Sequence, residues 1–225
     1  MKSAAPVTKT LLILIACVFV IELVFGGPSL RGGMNLFVAD INPALLQTLG
    51  AIVPGMFVRH EYWRLVAAMF LHANVLHWLF NSWALYQLGS LYESMFGSRR
   101  FALTYFVTGI CASIASAIHA GTTNGSSVGA SGAIFGILGA FIFSIRRSPQ
   151  WRHEPWTRRL TSELVFWALI NLAFGLSVQF IDNTAHITGL VSGLLLGLIV
   201  PHRVPPPPPS SGVIDVSPRP PQNYT

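Results

Sequence analysis

Apolar residues in this chain gather into long runs, and short breaks rich in Gly, Ser, Pro or Arg separate them. Several runs approach the roughly 20 residues that a helix needs to cross a bilayer. Six spans are predicted, at 10–26, 74–95, 99–119, 129–145, 160–180 and 183–200. GGPSLRGG opens a long first loop, GSRR divides spans two and three, and GTTNGSS divides three and four. RRSPQWRHEPWTRR divides four and five, and a short turn around Asp182 divides five and six. The pattern predicts an all-α membrane protein: residues 1–9 form an N-terminus, 10–200 one helical domain, and 201–225 a Pro-rich tail.

Two segments depart from the span pattern. The first loop, 27–73, carries INPALLQTLGAIVPGMF and HEYWRLVAAMFLH. Linkers are rarely this apolar, so short helices lying in the membrane interface are expected there. The tail holds PPPPP at 205–209 and reads as disordered with polyproline II character, a solvated tail or a ligand for an SH3-like partner.

Composition agrees with the pattern. Of 225 residues, 52% are hydrophobic and 10% charged, against about 25% charged in soluble domains. The net charge of +6 raises the question of nucleic acid, and the distribution of the charge answers it. Eleven of the basic residues fall at the N-terminus, in the second and fourth loops and in the tail, and three (Arg31, Arg59, Arg64) fall in the first loop. That asymmetry places both termini in the cytoplasm and accounts for the basic balance without nucleic acid. Lys2 and Lys9 ahead of Leu11–Phe25 resemble the start of a signal peptide, but no A-x-A site follows, so the run reads as an uncleaved first span. Cys17 and Cys111 sit in apolar runs and read as small core residues. Nothing in the sequence specifies an oligomeric state.

Polar groups inside lipid are costly and call for a reason. His77 and Asn81, at i and i+4 in LHWLFNSW, share one helix face near the outer start of span two. Ser131 lies near the start of span four, in GASGAIFG, and His186 near the start of span six, in TAHITGL. Spans two, four and six run in the same direction, so all four residues fall at similar depth in the outer half of the membrane. Span four carries Gly129, Gly132, Gly136 and Gly139, and span six carries Ala185, Gly189, Gly193 and Gly197. Such small-residue faces let helix backbones approach closely, as a Ser131–His186 hydrogen bond requires.

Ser131 is then either a packing residue or a nucleophile. A serine hydroxyl needs a base to take its proton, and His186 is the histidine at matching depth on a span that can face it. Donors for an oxyanion are available from His77, Asn81 and the Ser131 backbone N–H. Asp182, one turn before His186, is expected at the water boundary, which leaves a Ser–His dyad. His72 stands at the mouth of span two as a supporting or interface group. His119 reads as a boundary residue and Asn171 as interhelical glue; Glu22 has no evident partner.

GASGAIFG, HANVLHWLFN and AHITGLVSGLLLG, in this order, resemble the rhomboid intramembrane serine proteases over about residues 10–200. The resemblance implies a six-span bundle of the basic bacterial form, with neither a seventh span nor a large soluble domain. It implies Ser131 as nucleophile, with Gly129 and Gly132 completing its motif, and His186 as base, with Gly189 matching. It places His77 and Asn81 at the oxyanion site, Trp63 and Arg64 as a brace of the first loop, and Glu93 with Gly97 as a structural site at the cytoplasmic end of span two. The position four after the serine, often Tyr in the family, is Phe135 here; it keeps the ring and loses the hydroxyl. The implied activity is cleavage of single-span membrane proteins in or near their transmembrane segment, in a bacterial inner membrane, without metal or cofactor. The short segment Met1–Lys9 speaks against a mitochondrial form. The rival expectations are a non-catalytic rhomboid-like protein that binds membrane helices, and a small transporter using the same polar path.

Overall fold

The computed structural model describes residues 5–27, 39–123, 125–149, 152–177 and 181–199. The Pro-rich tail, Arg31 and most of the loop after the fifth span lie outside the described residues. The chain is all-helical apart from one antiparallel bridge, Ile52–Ser127, among the described residues.

Each expected span is met by helix. The first is α1 (Pro6–Gly26). The first loop holds the expected short helices, α2 (Pro43–Leu49) and α3 (Arg64–Ala67), the latter continuing into a 3₁₀ turn at Ala68–Phe70. Span two is α4 (Val75–Ala84) and α5 (Ser90–Phe96), joined by a π-helical turn at Leu85–Gly89 that the pattern did not foretell. Then come α6 (Ser98–Thr123), α7 (Ser131–Arg147), α8 (Pro155–Ser177) and α9 (Asn183–Ile199). Among the described residues α1, α6 and α8 are long and apolar enough to cross a membrane, and α9 is a shorter apolar helix.

Local chemistry fixes where these helices begin. Asn42 caps α2 by accepting from the Ala44 N–H at 2.9 Å, with Pro43 at the first helical position. Asn74 caps α4 through the His77 N–H at 2.9 Å, and Asp182 caps α9 through the Ala185 N–H at 2.9 Å. Each satisfies a donor that a helix start leaves free.

Long-range hydrogen bonds set the alternation of the helices. The Glu93 carboxyl, 2% exposed, accepts from the Val7 and Thr8 N–H groups, the Thr8 hydroxyl and the Ser98 hydroxyl. One side chain thus caps α1 and ties its start to the end of α5 and the start of α6. Gly97 makes the turn at this corner, at φ +87°. At one end of the bundle Arg147 donates to the Leu198 carbonyl, joining the ends of α7 and α9. At the opposite end Ser116 of α6 donates to Asp182 ahead of α9, and Asn183 donates to the Leu172 carbonyl of α8 at 3.1 Å.

The most enclosed helix is α7, buried nearly all round. It packs against α9 through glycine, as the small-residue pattern predicts. A methyl group at Gly189 would overlap the Gly132 carbonyl, one at Gly193 the Gly136 carbonyl, and one at Gly139 the Leu190 carbonyl. On its other side Gly136 receives Thr108 of α6. Gly129 corrects the pattern. It precedes the helix at φ +129°, a conformation that favours glycine, and packs against His77 rather than α9. Two further expectations fail. Cys17 faces outward instead of into the core. Asn171 is also exposed, and its amide donates to the Trp167 carbonyl of its own helix; an amide one turn from a carbonyl satisfies itself without a neighbour.

Candidate active site

Ser131 is the first residue of α7, and His186 lies in the first turn of α9. The close helix contact brings Ser131 Oγ to 2.8 Å from His186 Nε2. Beneath the imidazole lies Phe135, one turn after Ser131, with ring centroids 4.3 Å apart and planes within 9°. His186 is 8% exposed and Phe135 7%. The ring therefore fixes the imidazole plane and covers one face of it.

For Nε2 to accept the serine proton, neutral His186 carries its own proton on Nδ1. That atom has no hydrogen-bond partner among the described residues. The nearest carboxyl in sequence, Asp182, is committed elsewhere, to the Ser116 hydroxyl and the Ala185 N–H. Its task is to hold the start of α9 against α6, and so to place the turn that carries His186.

The start of α7 is open. Its cap residue Ala130 has no side chain able to bond the first N–H groups, which leaves them available beside Ser131 together with the positive end of the helix dipole. The backbone before it is gripped by the first loop. Ile52 and Ser127 exchange two hydrogen bonds of 2.9 and 3.1 Å, and the Gly129 N–H donates to the Ala68 carbonyl at 2.8 Å. The loop thus shapes the approach to Ser131, a function that no motif in the loop advertises.

His77 comes to the same place from α4. A methyl group at Gly129 would stand 2.8 Å from His77 Nε2 and 3.8 Å from Ser131 Oγ, so both atoms face one point. Its Nδ1 accepts from the Ala73 N–H at 3.4 Å. That bond requires the neutral tautomer with the proton on Nε2, the edge turned toward Gly129. Asn81 is 6% exposed, and its amide donates to the His77 carbonyl at 2.9 Å, bracing the turn that carries His77. His72 is fully buried against His77, with ring centroids 5.1 Å apart. Glu22, without a partner in the sequence reading, accepts the His72 N–H at 3.0 Å. This contact between α1 and the residues ahead of α4 is invisible in sequence because fifty positions separate its partners. His119 lies exposed at the end of α6, as expected of a boundary residue.

Trp63 and Arg64 hold the first loop. Arg64, 8% exposed, donates to the Gln47 and Ala51 carbonyls at 2.5 and 3.0 Å and to Glu61 at 2.8 Å. The Trp63 ring packs on Gly50, which ends α2 at φ +119°.

Ser131 helps line a small cavity of about 20 Å³. Its lining includes the hydroxyl-bearing residues Ser113, Ser116 and Ser127 together with Ser131. It is large enough and polar enough for a water molecule.

Sequence comparison adds independent evidence. Residues 59–203 match the family described as Rhomboid domain. Rhomboid protease GluP of Bacillus subtilis is 38% identical over 152 residues, covering 68% of this chain and 29% of that protein. RHOMBOID-like protein 1 of Arabidopsis thaliana is 39% identical over 155 residues, covering 68% and 39%. Rhomboid-type serine protease 2 of Emericella nidulans is 32% identical over 147 residues, covering 62% and 27%. The chain thus spans well under half the length of these relatives. With an all-helical membrane bundle and the matched region enclosing Ser131 and His186, this chain is a member of the rhomboid family.

Proposed function

We propose that this protein is an intramembrane serine endopeptidase acting on single-span membrane proteins in or near their transmembrane segment. The observation that carries the reading is the Ser131 Oγ–His186 Nε2 pair at 2.8 Å, with Phe135 stacked beneath the imidazole. The relatives' names, two of which include protease, support it.

In this reading His186 Nε2 takes the Ser131 proton as Oγ attacks the scissile carbonyl, and the imidazolium returns a proton to the leaving amine. The aromatic face of Phe135 favours the imidazolium that forms. The Ser131 N–H at the open start of α7 and His77 Nε2–H stabilise the oxyanion, and Asn81 supports that turn. A water from the small cavity completes hydrolysis of the acyl-enzyme. The missing Phe135 hydroxyl costs nothing here, since the stacked ring does the positioning. A substrate helix hides its carbonyls in hydrogen bonds, so small or Gly/Pro residues that loosen it are expected near the cleaved bond.

The same reading places six membrane crossings within 10–200, with 1–9 and the Pro-rich tail 201–225 cytoplasmic, in a bacterial inner membrane. The excess of Lys and Arg on the side of both termini supports this orientation. The test compares wild type with Ser131→Ala and His186→Ala on a single-span substrate in vesicles, alongside labelling by a fluorophosphonate. Loss of cleavage in both variants and loss of labelling in Ser131→Ala are expected. Undiminished cleavage by Ser131→Ala sinks the assignment of Ser131 as nucleophile; a wild type that binds the substrate but neither cleaves it nor takes the label leaves a helix-binding protein without catalysis.

A further inference from the structure

Glu22 on α1 is fully buried, and hydrolysis by Ser131 and His186 does not call on it. One carboxyl oxygen accepts the His72 N–H at 3.0 Å, and the other has no partner among the described residues. A carboxyl at this depth has a high desolvation cost, and a position needing only shape would be filled by Leu or Met.

The bond falls at an informative place. Residues 71–74 turn the chain from the first loop into α4, and Leu71 is extended at ψ 152°. The peptide after His72 is the one whose N–H, on Ala73, donates to His77 Nδ1. The Ala73 carbonyl in turn accepts from Ile41 at 2.7 Å. Phe19, one turn before Glu22, meets His72 edge-on at 6.3 Å and stacks on Trp78 at 5.0 Å. Glu22 and Phe19 therefore clamp the turn from the α1 side, while His72 covers His77. The grip extends from α1 through two peptides to the imidazole whose Nε2 faces Ser131.

We propose that Glu22 is a positioning residue for the oxyanion donor: by fixing the His72 peptide it directs the Ala73 N–H onto His77 Nδ1, which holds the His77 proton on Nε2 toward Ser131. The first span thereby takes part in catalysis without touching substrate. This inference rests on the protease reading.

The experiment measures kcat and KM of the full chain in vesicles for wild type, Glu22→Leu and Glu22→Gln, with and without His77→Ala. Glu22→Leu fills the volume without an acceptor and is expected to lower kcat on the order of tenfold to a hundredfold, the range for a misplaced catalytic group, with KM unchanged. Glu22→Gln keeps the acceptor oxygen and is expected to restore most of that loss. In the His77→Ala background Glu22→Leu is expected to change kcat by less than about twofold, since coupled residues are not additive. Imidazole nitrogen NMR of the wild type reads the tautomer directly and needs no variant to fold; it should show His77 protonated on Nε2. A kcat loss of equal size in both backgrounds, an unaffected Glu22→Leu, or a His77 proton on Nδ1 overturns the inference alone. Absence of Ser131-dependent cleavage in wild type overturns the protease reading and this inference with it.

Discussion

Gly189→Ala puts the helix packing and the chemistry to one test. A methyl group there would overlap the Gly132 carbonyl oxygen and stand 3.0 Å from its carbon. Carbon atoms in contact prefer about 3.5–4.0 Å, so α7 and α9 must part by roughly 1 Å at this level. The strained residues adjoin the reacting pair: Gly132 follows Ser131, and Gly189 lies three positions after His186. Added to the 2.8 Å hydrogen bond, a shift of about 1 Å carries the pair past the limit of useful hydrogen bonding, about 3.5 Å. A displacement of that size costs on the order of a hundredfold in rate, about 2.7 kcal/mol in activation free energy. Overpacking should also destabilise the fold by about 1–3 kcal/mol. Gly197→Ala is the control. Its methyl would meet Phe143 Cβ at 2.8 Å and the Ala140 carbonyl at 3.1 Å, near the opposite end of α9. Thermal unfolding and kcat are measured for both variants in the same detergent. Both should lose stability, and Gly189→Ala should lose much more activity. Equal activity losses, or a Gly189→Ala enzyme with wild-type kcat, would refute the claim that this contact sets the Ser131–His186 distance.

Two further outcomes follow from bonds outside the site. Glu93→Ala leaves two N–H groups at the start of α1 without their acceptor; the loss is expected to reach about 3 kcal/mol in unfolding experiments, the upper range for buried donors left unsatisfied, and an unchanged unfolding midpoint contradicts the tie. In the first loop, hydrogen bonds from Arg59 and then Arg64 hold the Glu61 carboxyl below its ordinary value of 4.5. A depressed carboxyl stabilises above its unfolded pKa and stops doing so as pH falls through the folded one. Hydrogen-exchange protection of residues 47–64 should therefore be flat at neutral and alkaline pH and decline only below about 4.5; a decline between pH 6 and 8 excludes Glu61 as its cause.

Much of the site was legible because membranes restrict the alphabet. Polar residues inside apolar runs are conspicuous, and topology alone put His77, Asn81, Ser131 and His186 at one depth. The small-residue spacing identified the α7–α9 contact, since only glycine permits backbones so close. Less legible were interactions whose partners look ordinary in sequence. Gly129 read as part of the helical small-residue face, but at φ +129° it makes the turn that admits His77. Asn171 read as interhelical glue because an exposed self-bonded amide has the same sequence signature. Glu22 read as partnerless because its partner is a backbone N–H, which every residue carries.

By itself, then, the sequence determined the helical membrane class, the approximate ends of the main helices, and the identities of the polar residues that gather beside Ser131. Each follows from the cost of polar groups in lipid and from local capping chemistry, which act over a few residues. Only the tertiary structure decided that the first loop grips the segment ahead of Ser131, that Asp182 serves α6 instead of His186, and that α1 reaches His77 through Glu22 and His72. Those outcomes depend on distances between segments far apart in the chain. Whether a carboxyl finds a hydroxyl, a backbone N–H or an imidazole is set by where the packed helices leave it.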